Sequence, residues 1–409
     1  MRLFDKMMSR FVKTGRLTII DADGTTNSYG TSKGPQVTVR FTDPKLARSL
    51  FINPELRAGE AYMDGALVIE KGSIRDLLTI FATNRLGLRS QPVQKALRTT
   101  YKKLRKWHQR NRLAKSRENV AHHYDLSNDL YELFLDKDLN YSCAYFTKPN
   151  ETLETAQRNK LRHIAAKLDL KPGQKVLDIG SGWGSMALYL AEVADVKVTG
   201  VTLSTEQLAL AKQRAKDRGL EKRVTFKLID YRDVTSTFDR IVSIGMFEHV
   251  GIEHHQEYFE KINDLLADDG VALVHSIGRK GGPGTTGAWI RKYIFPGGYS
   301  PALSETFAAV EKAGLWVTDA EILRMQYADT LAEWDKRFQK NRKKAAALFD
   351  EKFCRMWEFY LIASEFSFRY GKHMNFQLQL TKDVSTLPYT RDYLFKAEAD
   401  LKKRETKKL

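Results

Sequence analysis

The chain has 409 residues, with 67 Lys and Arg against 50 Asp and Glu, a formal charge of +17 and a pI near 9.6. Hydrophobic residues at 42% and charged residues at 29% exclude collagen, an acidic disordered tail protein and a disulfide scaffold. The length favours two or three domains, the basic surface is attracted to polyanions such as nucleic acid or anionic lipid, and two cysteines, Cys143 and Cys354, fit a reducing cytosol.

The first residues mix Lys6 and Arg10 with apolar side chains and lack the continuous apolar run of a signal peptide. No stretch approaches the roughly 20 apolar residues of a membrane helix, so a membrane would be met from its surface. Residues 1–90 read as a small α+β domain, expected to serve lipid association or dimerisation. Strands are expected at 17–20 and 37–40 around a turn-rich stretch, 21–34. Gly59-Glu-Ala-Tyr-Met-Asp-Gly65 reads as a glycine-bounded loop, and residues 74–84 carry helical periodicity. Residues 91–117 scatter Arg98, Lys102, Lys103, Arg105 and Lys106 among Leu97, Tyr101, Leu104 and Trp107. They read either as a basic amphipathic helix touching lipid headgroups or as a solvated linker helix.

Residues 118–395 form the third segment, followed by a basic tail, 396–409. Strands at 174–179, 196–201, 223–228, 240–244 and 271–276 alternate with helices at 185–193, 204–218 and 255–267. Such β-α repetition predicts an α/β domain with a mostly parallel sheet, and ligands at the carboxyl ends of its strands. The first strand runs into Val176-Leu-Asp-Ile-Gly-Ser-Gly-Trp-Gly184. Gly180, Gly182 and Gly184 follow GxGxG, not the dinucleotide GxGxxG, and Asp178 suits a cationic ligand better than a pyrophosphate.

This loop resembles motif I of the S-adenosylmethionine-dependent methyltransferases, which implies a Rossmann-like class I domain, here with helical cap insertions. The second strand ends in Gly200-Val-Thr-Leu-Ser-Thr-Glu-Gln207, without the acid that many of those enzymes place on the ribose. Thr202 and Gln207 can hydrogen-bond ribose or adenine instead. Asp230-Tyr231-Arg232 reads either as a simple turn or as the adenine site, with Tyr231 a flat face and Asp230 an acceptor.

Further segments narrow the resemblance. They are Tyr124-Asp-Leu-Ser-Asn-Asp-Leu-Tyr131, Leu139-Asn-Tyr-Ser-Cys-Ala-Tyr-Phe146, Ile244-Gly-Met-Phe-Glu-His-Val-Gly251, His275-Ser-Ile-Gly278 and Tyr293-Ile-Phe-Pro-Gly-Gly298. Together these closely resemble the cyclopropane fatty acid synthase family over residues 118 to about 385. The added N-terminal domain is similar to the bacterial phospholipid-acting branch. The resemblance implies cofactor contacts from Tyr141, Ser142, Asp178, Gly180, Ser181, Gly182, Thr202, Leu203, Ser204, Gln207, Asp230, Tyr231 and Arg232. It implies a bicarbonate ion held by Cys143, Glu248, His275, Ile277 and Tyr327, with Cys143 and Ile277 serving through their backbone.

The implied reaction adds the cofactor's methyl carbon across a cis double bond of a phospholipid acyl chain, and bicarbonate then deprotonates the carbocation so that a cyclopropane closes. Positioning can supply roughly 7–11 kcal/mol of that barrier. Aromatic faces can add about 0.5–2 kcal/mol each next to a cation. Tyr141, Tyr145, Phe146 and Phe247 are candidates, with core packing the competing role for Phe146 and Phe247. Residues 279–300, 328–347 and 353–370 are candidates for an acyl tunnel, the last also reading as plain helical core.

The expected partners are the phospholipid substrate and an anionic membrane surface, whose headgroups attract basic residues by about 1 kcal/mol each. The expected place is the cytoplasm, peripherally on the inner face of a bacterial cytoplasmic membrane, as a homodimer. A methyl-branching reaction on the same lipids is the near alternative. A nucleic-acid methyltransferase is the distant one, because Gly245-Met-Phe-Glu-His replaces a base-reading Asn/Asp-Pro-Pro-Tyr/Phe motif. His122, His123, His249, His254 and His255 lack metal-ligand spacing and read as helix-end or surface residues, so no metal is expected.

Overall fold

The computed structural model describes residues 2–84 and 127–408. The basic stretch 91–117, with His122 and His123, lies outside the described residues. Contacts within the described chain divide it into two units. One comprises 2–84, Thr285–Pro296 and Leu331–Lys372; the other comprises 127–284, Gly297–Thr330 and 373–408.

The N-terminal unit is built on a four-stranded sheet of order β2-β1-β3-β4, with β1 (Arg16–Ile20), β2 (Thr26–Gly30), β3 (Gln36–Phe41) and β4 (Leu67–Lys71). The turn-rich stretch 21–34 therefore contains a strand that sequence reading missed. β2 pairs antiparallel with β1, and only Tyr29 of its five residues is buried. A polar edge strand with one inward side chain carries little alternation to detect.

Helices α1 (Arg2–Phe11), α2 (Leu46–Ile52), α3 (Pro54–Asp64) and α4 (Ile74–Thr83) cover this sheet. The expected loop at 59–65 is instead the second half of α3. Asn53 caps that helix, Pro54 opens it, and Gly65 closes it in the left-handed region at φ 75°. Gly59 sits inside the helix because a Cβ there would lie 2.4 Å from the Trp289 ring nitrogen. The Glu351–Arg369 helix supplies buried Trp357, Phe359, Leu361 and Phe366 to the same unit. Arg75 of α4 bonds both Asp335 and Glu365 at 2.7 Å, tying segments about 260–290 residues apart in sequence.

The larger unit holds a seven-stranded sheet of order β10-β11-β9-β8-β5-β6-β7. Its strands are β5 (Lys175–Ile179), β6 (Lys197–Thr202), β7 (Val224–Leu228), β8 (Phe238–Ile244), β9 (Leu266–Arg279), β10 (Trp316–Ile322) and β11 (His373–Thr381). The first five are mutually parallel, and β11 and β10 add an antiparallel edge, so the α/β class and the mostly parallel sheet follow the sequence expectation. β5 has β6 on one side and β8 on the other, which makes its carboxyl end the topological switch point where a ligand crevice opens. The Leu153–Lys167 and Ser185–Val193 helices bury apolar faces in the core. Among the described residues, no helix is long and apolar enough to cross a membrane.

Candidate active site

At the end of β5 the chain turns through Gly180, Gly182 and Gly184, all at positive φ. Gly180 and Ser181 donate backbone hydrogen bonds to the Val201 carbonyl at 3.0 and 2.9 Å, pinning the loop to β6. A Cβ on Gly184 would meet the Phe226 ring at 2.6 Å. The turn opens a cavity of about 170 Å³ whose walls include Tyr141, Ser142, Asp178, Gly180, Ser181, Gly182, Thr202, Leu203, Gln207, Asp230, Tyr231 and Arg232. Twelve of the thirteen expected cofactor residues therefore face one space. Ser204 is the exception: it is the N-cap of the Thr205–Asp217 helix, and its hydroxyl accepts from the Gln207 amide.

The 136–142 segment over this cavity is held by polar contacts. Asp136 accepts from the Asn140 backbone at 2.8 Å and from its side chain at 2.7 Å, with Leu139 in the left-handed region at φ 55°. Asn140 in turn accepts from Lys160 at 2.9 Å and Ser185 at 2.7 Å. Tyr141 lies edge-on to Tyr131 and Phe134.

Lys160 is the residue that sequence reading passed over. It lies on the buried face of the Leu153–Lys167 helix, lines the cavity and donates to Ser142 at 3.1 Å. Burial pulls its pKa down to about 8. Opposite in sign is Asp178, which burial pushes up to about 7 although Lys160 draws it down. Asp178 Oδ2 has no hydrogen-bond partner. A buried ammonium and a buried, under-satisfied carboxylate complement the two ends of an amino-acid zwitterion. The available signal was lysine on an apolar stripe, since Leu153, Ala156, Lys160, Ile164 and Lys167 recur at helical spacing and all are buried.

At the tip of β6, Thr202 donates to Gln207 Oε1 at 3.0 Å, which leaves the Gln207 amide nitrogen as a donor. The Asp230 carboxylate is gripped by Arg232 at 2.9 and 2.7 Å, and the Arg232 guanidinium lies 5.5 Å from the Tyr231 ring centre. The acceptor role expected of Asp230 is thus shared with an internal ion pair.

Glu248 follows β8 in a buried turn. Its Oε1 accepts from the Ile277 amide at 2.6 Å, while Oε2 is buried without a hydrogen-bond partner. Burial pushes the Glu248 carboxyl up to about 7, against the Ile277 hydrogen bond. Gly245, Met246 and His249, on either side of it, line the cofactor cavity. His275 sits between two side-chain amides. Gln377 Oε1 accepts from Lys167 at 2.8 Å, so the Gln377 amide nitrogen donates to His275 Nδ1 at 3.1 Å. The Asn375 amide nitrogen lies 3.2 Å from Nε2, and the Asn375 side-chain oxygen is buried with no partner among the described residues. Burial, reinforced by Lys160 and Lys167, drops the His275 pKa to about 3 and keeps it neutral.

Cys143 is buried, its thiol 3.4 Å from the Ala144 carbonyl, and burial pushes its pKa up. The next residue, Ala144, donates its backbone N–H to the Thr330 hydroxyl at 3.0 Å, and the Phe146 backbone exchanges two hydrogen bonds with the Gln326 side-chain amide. This holds the Cys143 segment to the first turn of the Gln326–Lys340 helix, which carries buried Tyr327. Phe247 packs on His255, Tyr258 and Phe259, which is its core role, and Tyr145 stacks on His163 at 4.3 Å.

His249 departs from the surface reading: it lines the cofactor cavity, and burial lowers its pKa to about 4. His255 is buried against Phe247, whereas His254 bonds Glu257. Among the described residues no cluster of His, Cys, Asp and Glu could hold a metal ion.

Residues 111–378 match the mycolic acid cyclopropane synthetase family model. The chain belongs to this family. Residues 3–90 match a separate domain of unknown function. A probable fatty acid methyltransferase of Pseudomonas putida is 36% identical over 382 residues, 90% of this chain and 94% of that protein. The cyclopropane-fatty-acyl-phospholipid synthase of Escherichia coli K12 is 38% identical over 338 residues, 81% and 84% of the two chains. Among solved structures, mycolic acid cyclopropane synthase CmaA1 complexed with SAH and CTAB superposes with a TM-score of 0.61 at 34% identity, covering 64% of this chain and 97% of that one. Membership makes this an S-adenosylmethionine-dependent methyltransferase fold in a family of lipid-modifying enzymes. The donor set fits S-adenosylmethionine: Asp178 and Lys160 for the amino-acid end, Gln207 for ribose, and the Tyr231 face for adenine.

Proposed function

We propose that this enzyme transfers a one-carbon unit from S-adenosylmethionine to the cis double bond of phospholipid acyl chains and closes a cyclopropane ring. The observation that carries this reading is Glu248, a buried carboxyl beside the cofactor cavity, with one oxygen fixed by Ile277 and the other without a hydrogen-bond partner among the described residues. Bound S-adenosylmethionine supplies an electrophilic methyl group. The residues do the rest: Asp178 and Lys160 orient the cofactor's amino-acid end, and the glycine turn keeps side chains out of its path.

Near neutral pH a carboxyl with a pKa of about 7 can either donate or accept a proton through Oε2. That matches what is needed to hold a small anion such as bicarbonate, to which the backbone of Ile277 and Cys143 and the side chain of Tyr327 would also contribute. His275 serves as a neutral positioning group between Asn375 and Gln377. Glu248 holding an intervening anion also protects the reaction, because a carboxylate touching the carbocation directly would trap it as an ester.

The test is mass spectrometry of phosphatidylglycerol and phosphatidylethanolamine with unsaturated chains after incubation with cofactor. A gain of CH₂ with loss of the ozone-sensitive double bond supports the ring. A gain of CH₂ with a surviving double bond identifies the methyl-branching alternative. Peripheral docking on anionic membranes belongs to the same reading, supported by the charge of +17. Vesicle binding should fall with added salt, and equal binding to neutral vesicles would exclude it.

A further inference from the structure

The N-terminal unit contains a cavity of about 220 Å³ between its sheet and helices. Its walls include Met7 and Met8 of α1, Ile19 of β1, Phe41 of β3, Ala58 of α3 and Leu77 of α4. Among the described residues lining it, only Glu55 and Tyr62 have polar side chains, and the Tyr62 hydroxyl is already committed to Glu358 at 2.7 Å. The deep wall is fully buried, whereas Pro54, Ala58, Leu78 and Phe81 are half-buried and Glu55 is exposed. These residues mark a mouth between α3 and α4.

A void of this kind offers water no partners, and an apolar cavity of about 150 Å³ already stays dry and takes up benzene. Protein interiors are normally close-packed, so the walls of an unfilled space this large forfeit dispersion contacts that a hydrocarbon would restore. The mouth selects among hydrocarbons. A free fatty acid would bring its carboxylate to Glu55, whereas an ester-linked chain brings no charge to that point. We infer that this cavity binds one acyl chain of a phospholipid, at a site separate from the cofactor pocket and independent of which product the enzyme makes. No lining residue is shared between the two.

Methionine-methyl NMR of the full chain reads both sites at once, because Met7 and Met8 line this cavity while Met186 and Met246 line the cofactor pocket. The probe is dioctanoylphosphatidylcholine below its micelle concentration, with Met7→Leu and Met8→Leu giving assignments. The lipid is expected to move the Met7 and Met8 signals, and S-adenosylhomocysteine those of Met186 and Met246. Ala58→Phe, which fills the mouth, should weaken the lipid response at least ten-fold and leave the S-adenosylhomocysteine response intact. Should that variant lose both responses through misfolding, Leu50→Phe fills the same space from α2 and decides. Still Met7 and Met8 signals, or equal lipid affinity in a folded filling variant, overturn the site. Octanoate binding as tightly as the phospholipid overturns the choice of an ester-linked chain.

Discussion

The cofactor pocket and the N-terminal cavity are comparable in volume, about 170 and 220 Å³, and opposite in how they are kept open. The first is held open by buried charge. Lys160, Asp178 and the neighbouring Glu248 are all displaced from their ordinary pKa values by burial, and each of the two carboxylates keeps an oxygen without a partner. The second is held open by hydrocarbon alone, with ion pairs placed elsewhere in its unit. A pocket of the first kind costs stability and gains chemistry. A pocket of the second kind costs packing and gains only binding.

The largest expected effect sharpens the first half of that contrast. Glu248→Gln keeps an acceptor for the Ile277 amide but cannot exchange a proton, so turnover should fall about 10²–10⁴-fold. The same variant should be more stable. Glu248 lies above its ordinary value of 4.5, at about 7, so the folded protein holds an extra proton between those values and loses stability as pH rises through them. Removing the titration should raise the stability by about 1–3 kcal/mol near pH 8 and by almost nothing near pH 4.5. Denaturant melts of parent and variant at both values check this, and the same difference between them at both would show that Glu248 is not under strain.

Lys160→Met addresses the cofactor. If the ammonium reads the cofactor's carboxylate, losing a charge-assisted bond of about 1.5–3 kcal/mol should weaken S-adenosylhomocysteine about 10–100-fold. Methylthioadenosine, which lacks the amino-acid end, should bind as before. Calorimetry with the two ligands separates this from general damage, because damage would weaken both.

Arg75→Met turns to the N-terminal unit. It takes one partner from each of the buried carboxylates of Asp335 and Glu365, bonded to Arg75 at 2.7 Å, leaving them Gln339 and Arg369 respectively. Arg75 itself is partly exposed, so the loss should be about 2–3 kcal/mol, below the full cost of breaking a buried pair. S-adenosylhomocysteine affinity should be unchanged, and a parallel loss of affinity would show that the larger unit depends on this ion pair.

What the sequence made legible follows the same division. The parallel sheet, the glycine turn and most of the cofactor wall were readable because β-α periodicity and the motifs are local in sequence. Lys160 was missed because it sits on a helix before the first strand of the series, where a lysine on an apolar face looks like noise. His249 was misplaced because a lone histidine reads as a surface group until burial is seen. The hidden helix at α3 was missed because Gly59 is there for the Trp289 ring, 230 residues away, and no local rule anticipates such a contact. The apolar cavity has no sequence signature at all, since the residues around a void are the same types that fill a core.

Cys143→Ser carries the smallest expected effect and tests whether the site works by backbone or by thiol. The thiol donates to the adjacent Ala144 carbonyl at 3.4 Å, a contact that a serine hydroxyl can make. Burial raises the thiol pKa, so a nucleophilic thiolate is disfavoured near neutral pH. The segment is positioned by Ala144 and Phe146 through their main chains, which the substitution leaves alone. Activity should therefore stay within about three-fold of the parent, the cost of a slightly smaller and more polar atom in a packed place. Loss of turnover with unchanged folding and cofactor affinity would mean that the sulfur itself touches the reacting atoms, and the proposed division of labour around Glu248 would have to be redrawn.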